Sequence, residues 1–129
     1  MTVVATPLYA GLLALLFIYL TMQVVRARTA HGVSVGDGGE KSVVKAMRVH
    51  SNCAEYVPIG ILLLGLAELQ GMPVWLVHIV GVVFTAGRVL HAYGFGSTPQ
   101  VVPARVWGMY LTVGSILLLA LANIGHAIL

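Results

Sequence analysis

The chain has 129 residues, of which 59% are hydrophobic and 9% charged, against roughly 25% charged in ordinary soluble domains. Seven Lys and Arg against four Asp and Glu leave a formal net charge of +3, and the mean hydropathy is +0.96. So little polar surface excludes a water-soluble globule, the length allows one domain, the single cysteine, Cys53, excludes a disulfide framework, and the few basic residues exclude a nucleic-acid surface.

The first predicted span, residues 3–25, carries no charge and as a helix is long enough to cross a hydrocarbon core about 30 Å thick. It exceeds a signal-peptide core, and Arg26 and Arg28 follow it rather than precede it, so it is expected to be retained. The connection 26–41 is the only long loop and contains Gly32, Gly36, Gly38 and Gly39. Its Gly-Gly-Glu-Lys-Ser run is not a phosphate loop, because no glycine directly precedes Lys41 and no strand precedes the run. The second and third spans cover about 42–69 and 73–95. Between them, Gly71 suits a helix C-terminus and Pro73 a first helical turn. Pro103 opens the fourth span, 104–127, whose strongly polar interruptions beyond Arg105 are Asn123 and His126. The expectation is an all-α membrane protein, a single four-helix transmembrane domain over 1–129.

Arg26, Arg28, Lys41, Lys45 and Arg48 cluster at the first connection and Arg88 and Arg105 near the third, whereas the middle connection and both termini have no basic residue. The positive-inside rule therefore predicts extracytoplasmic termini and cytoplasmic first and third connections.

A charge at the centre of a span costs roughly 2.5–3.5 kcal/mol on insertion scales. The second span nevertheless carries Arg48, Asn52 and Glu55, and the third carries Arg88. At about 100° per residue, Arg48, Asn52 and Glu55 fall near 0°, 40° and −20°, one narrow stripe, and Arg88, His91 and Phe95 lie within about 60° of one another. Glu55 and Arg88 each stand about 22 Å from the hairpin turn that joins their helices. Equal depth predicts that they pair, and that these groups border a polar cavity opening to the cytoplasm. Such a pair can simply lock helices together. The surplus of Arg48, Arg88 and Arg105 over the single acid Glu55 instead favours an anionic ligand with carboxylates.

The run Arg48-Val-His-Ser-Asn52-Cys53-Ala-Glu55-Tyr56-Val-Pro58 resembles the second-helix signature of the membrane-associated proteins in eicosanoid and glutathione metabolism, the MAPEG family. Arg88-x-x-His91 and an Arg at the start of the fourth helix add to the likeness. The resemblance implies a homotrimer of four-helix protomers, with glutathione as co-substrate between neighbouring subunits near the cytoplasmic face and no metal. It assigns Arg48, Asn52, Glu55, Tyr56, Arg88 and His91 to glutathione, Arg105 to the thiolate as the catalytic residue, and Arg26 or Arg28 to the neighbouring subunit's site. It further implies a transferase or peroxidase acting on hydrophobic electrophiles or lipid hydroperoxides from the bilayer. The alternative is a non-catalytic lipid-binding scaffold of the same family. The expected location is a bacterial inner membrane. The family often carries Tyr four residues beyond the His91 position, where this chain has Phe95. Tyr93, about 140° from Arg88, is expected to point away.

The residue types suit this chemistry. Arginine grips carboxylates bidentately, Glu55 can accept an amine, and Asn52 can serve peptide groups of either polarity. A thiol with a pKa near 8.5 becomes a nucleophile when a nearby arginine favours the thiolate. A small four-span exporter is disfavoured, since the first span holds no acid. Cys53 reads as a packing residue, and His31, His50, His78 and His126 lack metal-ligand spacing. Glu68 is expected to be solvated, Pro58 to kink its helix, and Trp75 and Trp107 to anchor span ends.

Overall fold

The computed structural model describes residues 2–129. Four helices follow one another: α1 (Thr6–His31), α2 (Lys41–Leu69), α3 (Val74–Gly96) and α4 (Val102–Ile128). Each is long and apolar enough to cross a membrane, and their outward faces carry large apolar side chains such as Leu15, Leu62 and Leu121. A helix meets the absence of water by satisfying its own backbone, and side chains of this kind suit a hydrocarbon surround.

The ends follow local chemistry. α1 continues beyond the predicted residue 25 because arginines are good helix formers and nothing stops the chain before Gly32. Gly32 takes the left-handed conformation (φ 66°), and the N–H of Val33 closes on the Arg28 carbonyl at 2.9 Å. Gly71 (φ 105°) turns the chain between α2 and α3. α2 passes through Pro58 as one helix from Lys41 to Leu69.

The start of α1 departs from expectation. Glu68, near the end of α2, is buried rather than solvated. One carboxylate oxygen accepts from the N–H groups of Val4 (3.0 Å) and Ala5 (2.8 Å), the other from the N–H (2.9 Å) and hydroxyl (2.7 Å) of Thr6. The first turn of any helix leaves donors without intrahelical partners. Here an acid from another helix supplies the acceptors, with its charge at the positive end of the helix dipole.

α2 and α3 form the shared diagonal of the bundle. Both touch α1, both touch α4, and among the described residues α1 and α4 do not pack against each other. The α3–α4 seam is the most extensive, and glycines make it close. A Cβ on Gly94 would collide with the backbone nitrogen of Arg105, and one on Gly108 with the backbone of His91. Small residues let membrane helices approach in this way, and dispersion then holds them. Tyr9, Leu64, Val77 and Leu119 pack near the α2–α3 turn, and Leu20, Val49 and Cys53 pack towards the other end. Asn123 ties α4 to α2 by donating to the Leu63 carbonyl at 3.0 Å.

Candidate functional site

The diagonal arrangement divides the protomer into two sides. On the α4 side, Arg88 projects from α3 and is 1% exposed. Its guanidinium donates to Asn52 Oδ1 on α2 at 2.5 Å and lies 5.4 Å from the centre of the Tyr56 ring. Arg88 Nε and Nη1 are buried donors without a protein partner, as is Nδ1 of the buried His91 without a hydrogen-bond partner. One turn on, His91 meets the Phe95 ring edge to face at 5.7 Å. The Arg105 guanidinium, from the first turns of α4, lies 3.9 Å from the centre of that same ring and donates to Gln100 Oε1 at 2.9 Å. Asn52, Tyr56 and Arg88 thus touch across α2 and α3, and His91, Phe95 and Arg105 across α3 and α4, two rungs of one ladder a helical turn apart.

The expected Glu55–Arg88 pair does not form. The one contact between a carboxylate and a basic side chain among the described residues joins His31 and Glu40 at 3.5 Å. The reason is the azimuth of the two residues on their helices. On the stripe that starts at Arg48, Asn52 and Tyr56 lie at about +40° and +80°, whereas Glu55 lies near −20°. α3 packs against the positive edge, so Arg88 reaches Asn52 and Tyr56, while Arg48 and Glu55 stay exposed on the adjoining flank. Nor do these groups line either of two cavities, of about 650 and 620 Å³, among the described residues. The cavity of about 650 Å³ lies on the α1 side of the diagonal and is lined by Arg26 but by none of Arg48, Asn52, Glu55, Tyr56, Arg88, His91 or Arg105.

Tyr93 is 60% exposed and faces the α1 side, away from the ladder. Cys53 is buried against Leu20 and Val49. Among the described residues no cluster of three His, Cys, Asp or Glu could hold a metal ion.

A model of the MAPEG family matches residues 6–125. The chain belongs to the MAPEG family. It is 41% identical over 121 residues to inner membrane protein YecN of Escherichia coli K12, covering 94% of this chain and 91% of that protein. It is 31% identical over 116 residues to leukotriene C4 synthase of Cavia porcellus, covering 86% of this chain and 73% of that enzyme. In this MAPEG chain the two arginines at the end of α1 part company. Arg28 donates to the Gly36 carbonyl at 3.1 Å and reaches Met47 Sδ at 3.7 Å, next to Arg48. Arg26, about 200° round the helix, turns into the cavity on the α1 side. Sequence reasoning also missed Gln100 and the glycines that set the height of Arg105 beside Phe95. A signal was present in Gly87 and Gly94, seven residues apart and therefore on one face of α3.

Proposed function

We propose that the protein is a glutathione-dependent membrane transferase or peroxidase acting on hydrophobic electrophiles or lipid hydroperoxides. The observation that carries this reading is the buried Arg88 guanidinium, which keeps two donors free beside Asn52 and Tyr56. A cation with spare donors in a low-dielectric site suits a carboxylate, and glutathione brings two. In this reading Arg48 and Arg88 take the carboxylates, Glu55 takes the amine, Asn52 a peptide group, and His91 lends a ring nitrogen. Arg28 rather than Arg26 is the first-helix residue directed at the neighbouring subunit's site. Its place beside Met47 supports that choice.

Arg105 supplies the charge that favours the thiolate. The Phe95 ring and Gln100 hold its guanidinium in place, so little reorganisation is needed when negative charge develops on sulfur. In transfer, sulfur forms a bond to the electrophilic carbon and the displaced group leaves with the electron pair. In peroxide reduction, sulfur takes the distal OH as the O–O bond breaks, the alkoxide leaves as the alcohol after gaining a proton from water, and a second glutathione converts the sulfenic acid to disulfide and water. The relative named leukotriene C4 synthase supports the transferase form. A non-catalytic scaffold of the same family remains the second reading, favoured by the lack of a hydroxyl on Phe95.

Glu55→Gln tests the ligand assignment. It removes the partner of the glutathione amine without touching the Arg88–Asn52 contact, so calorimetry should show glutathione affinity falling about tenfold or more, the value of one charge-assisted hydrogen bond. Unchanged affinity in a folded variant would reduce the stripe to interhelical glue.

The same flank supports a homotrimer. Glu55 is exposed on a membrane-spanning helix of the isolated protomer, a costly position unless a neighbour covers it. A detergent-corrected mass of three chains is expected under mild conditions, and a mass of one chain would count against it. The name of the YecN relative supports an inner-membrane location, and the basic residues support cytoplasmic first and third connections. An impermeant thiol reagent outside intact cells should leave Ser34→Cys unlabelled, while labelling would invert the topology.

A further inference from the structure

The cavity on the α1 side belongs to no part of the glutathione reading. It runs between α1, α2 and α3, and its about 650 Å³ is within the range of small-molecule sites. Its deep end is apolar, bordered by Leu16, Leu20, Val49 and Val89. Its other end carries Arg26 and Lys45, and no residue that lines it is acidic. From Leu16 to Arg26 the helix rises about 15 Å, half of a hydrocarbon core about 30 Å thick. The cavity is therefore one leaflet deep, apolar at the bilayer centre and cationic at the interface.

The two cations are not neutralised within the protomer. Arg26 is exposed and forms no ion pair among the described residues. The Lys45 ammonium donates to the Ser97 carbonyl and to Thr98 Oγ1 at 3.0 Å. Those two bonds fix it at the rim and leave one of its three protons for a ligand. Tyr93, on the same rim, is 60% exposed and has the mixed character of aromatic residues at membrane interfaces.

We propose that this groove binds one anionic phospholipid from the leaflet on the Arg26 side, its phosphate between Arg26 and Lys45 and one acyl chain along Leu16, Leu20, Val49 and Val89. Charge complementarity selects an anionic lipid over a zwitterionic one. Each basic residue near the headgroup contributes about fivefold in affinity. The proposal is independent of the glutathione reading, since no residue that lines the groove belongs to the Arg88 ladder.

Native mass spectrometry of the purified protein, titrated with phosphatidylglycerol and with phosphatidylcholine of the same chains, provides the test. One phosphatidylglycerol per protomer should be retained at concentrations where phosphatidylcholine is lost. Arg26→Gln should weaken phosphatidylglycerol about fivefold and phosphatidylcholine less, so that the preference between the two lipids narrows. Gly96→Phe fills the mouth of the groove, where a Cβ on Gly96 meets nothing within 4 Å. It should abolish retention of both lipids while glutathione binding in the same sample is unchanged. Should that variant fail to fold, Arg26→Gln alone decides the outcome. Equal retention of the two lipids, wild-type retention by Arg26→Gln, or displacement of phosphatidylglycerol by glycerol phosphate would overturn the proposal. So would a change in the assembly mass on Gly96→Phe, which would assign the groove to a second copy of the chain.

Discussion

Arg105→Ala should lower turnover with a model aryl halide or a lipid hydroperoxide by about 100-fold or more, the usual cost of removing one preorganised charge stabiliser, while glutathione affinity falls far less. The difference arises because the guanidinium acts on charge that grows as the thiolate and transition state form, and interactions of that kind raise turnover rather than binding. Phe95 sharpens the expectation, since its ring offers no hydroxyl to the sulfur and instead packs against the Arg105 guanidinium at 3.9 Å. The ultraviolet thiolate signal of the bound complex should fall in parallel, and Arg105→Lys should restore part of it. Phe95→Tyr should leave activity equal or higher. Tyr93→Phe should do little, because Tyr93 lines the opposite groove. Full turnover in Arg105→Ala together with loss in Tyr93→Phe would move the thiol activator to the other side of the diagonal. Glutathione binding without either reaction would favour the non-catalytic scaffold.

The four helices were legible because each apolar stretch is longer than a bilayer core, uncharged in the first span and interrupted by few charges in the others. Their ends were legible where Gly71, Pro73 and Pro103 stand. The end of α1 was not, because a helix can leave the membrane and continue until a residue such as Gly32 stops it. The composition of the site was legible from Arg48, Asn52, Glu55 and Arg88, since charges in apolar helices have few reasons to be there. Its pairing was not. Depth along a helix follows from counting residues, but the azimuth of the neighbouring helix depends on packing, and here glycines govern much of that packing. Gly94 and Gly108 bring α4 close enough to α3 for Arg105 to lie over Phe95. The charge and the surface that holds it therefore come from different helices at a height fixed by residues without side chains. Glu68 was illegible for a related reason, because the donors it serves lie more than sixty residues away.

Glu68→Ala should cause the largest loss of stability of any single exposed-looking position, on the order of 3 kcal/mol. The wild-type carboxylate accepts three backbone N–H groups and one hydroxyl at the start of α1, and bonds to a charged acceptor are stronger than neutral ones. Alanine removes all four acceptor contacts at once and leaves buried donors beside a membrane, where no other partner is at hand. Glu68→Gln should fall between the two. Its amide oxygen can still accept, but its NH2 group presents donors to donors and the favourable charge at the helix N-terminus is lost. Thermal unfolding in detergent would show wild type melting highest, Gln next and Ala lowest. Below the melting transition glutathione affinity should be unchanged in all three, because thirteen residues of α2, about 20 Å, separate Glu68 from Glu55. Identical melting of Glu68→Ala and wild type would return Glu68 to solvent and leave α1 capped by water alone. Loss of glutathione binding in a folded Glu68→Ala would mean instead that the two ends of α2 are mechanically coupled, so that the anchoring of α1 helps to set the stripe from Arg48 to Glu55.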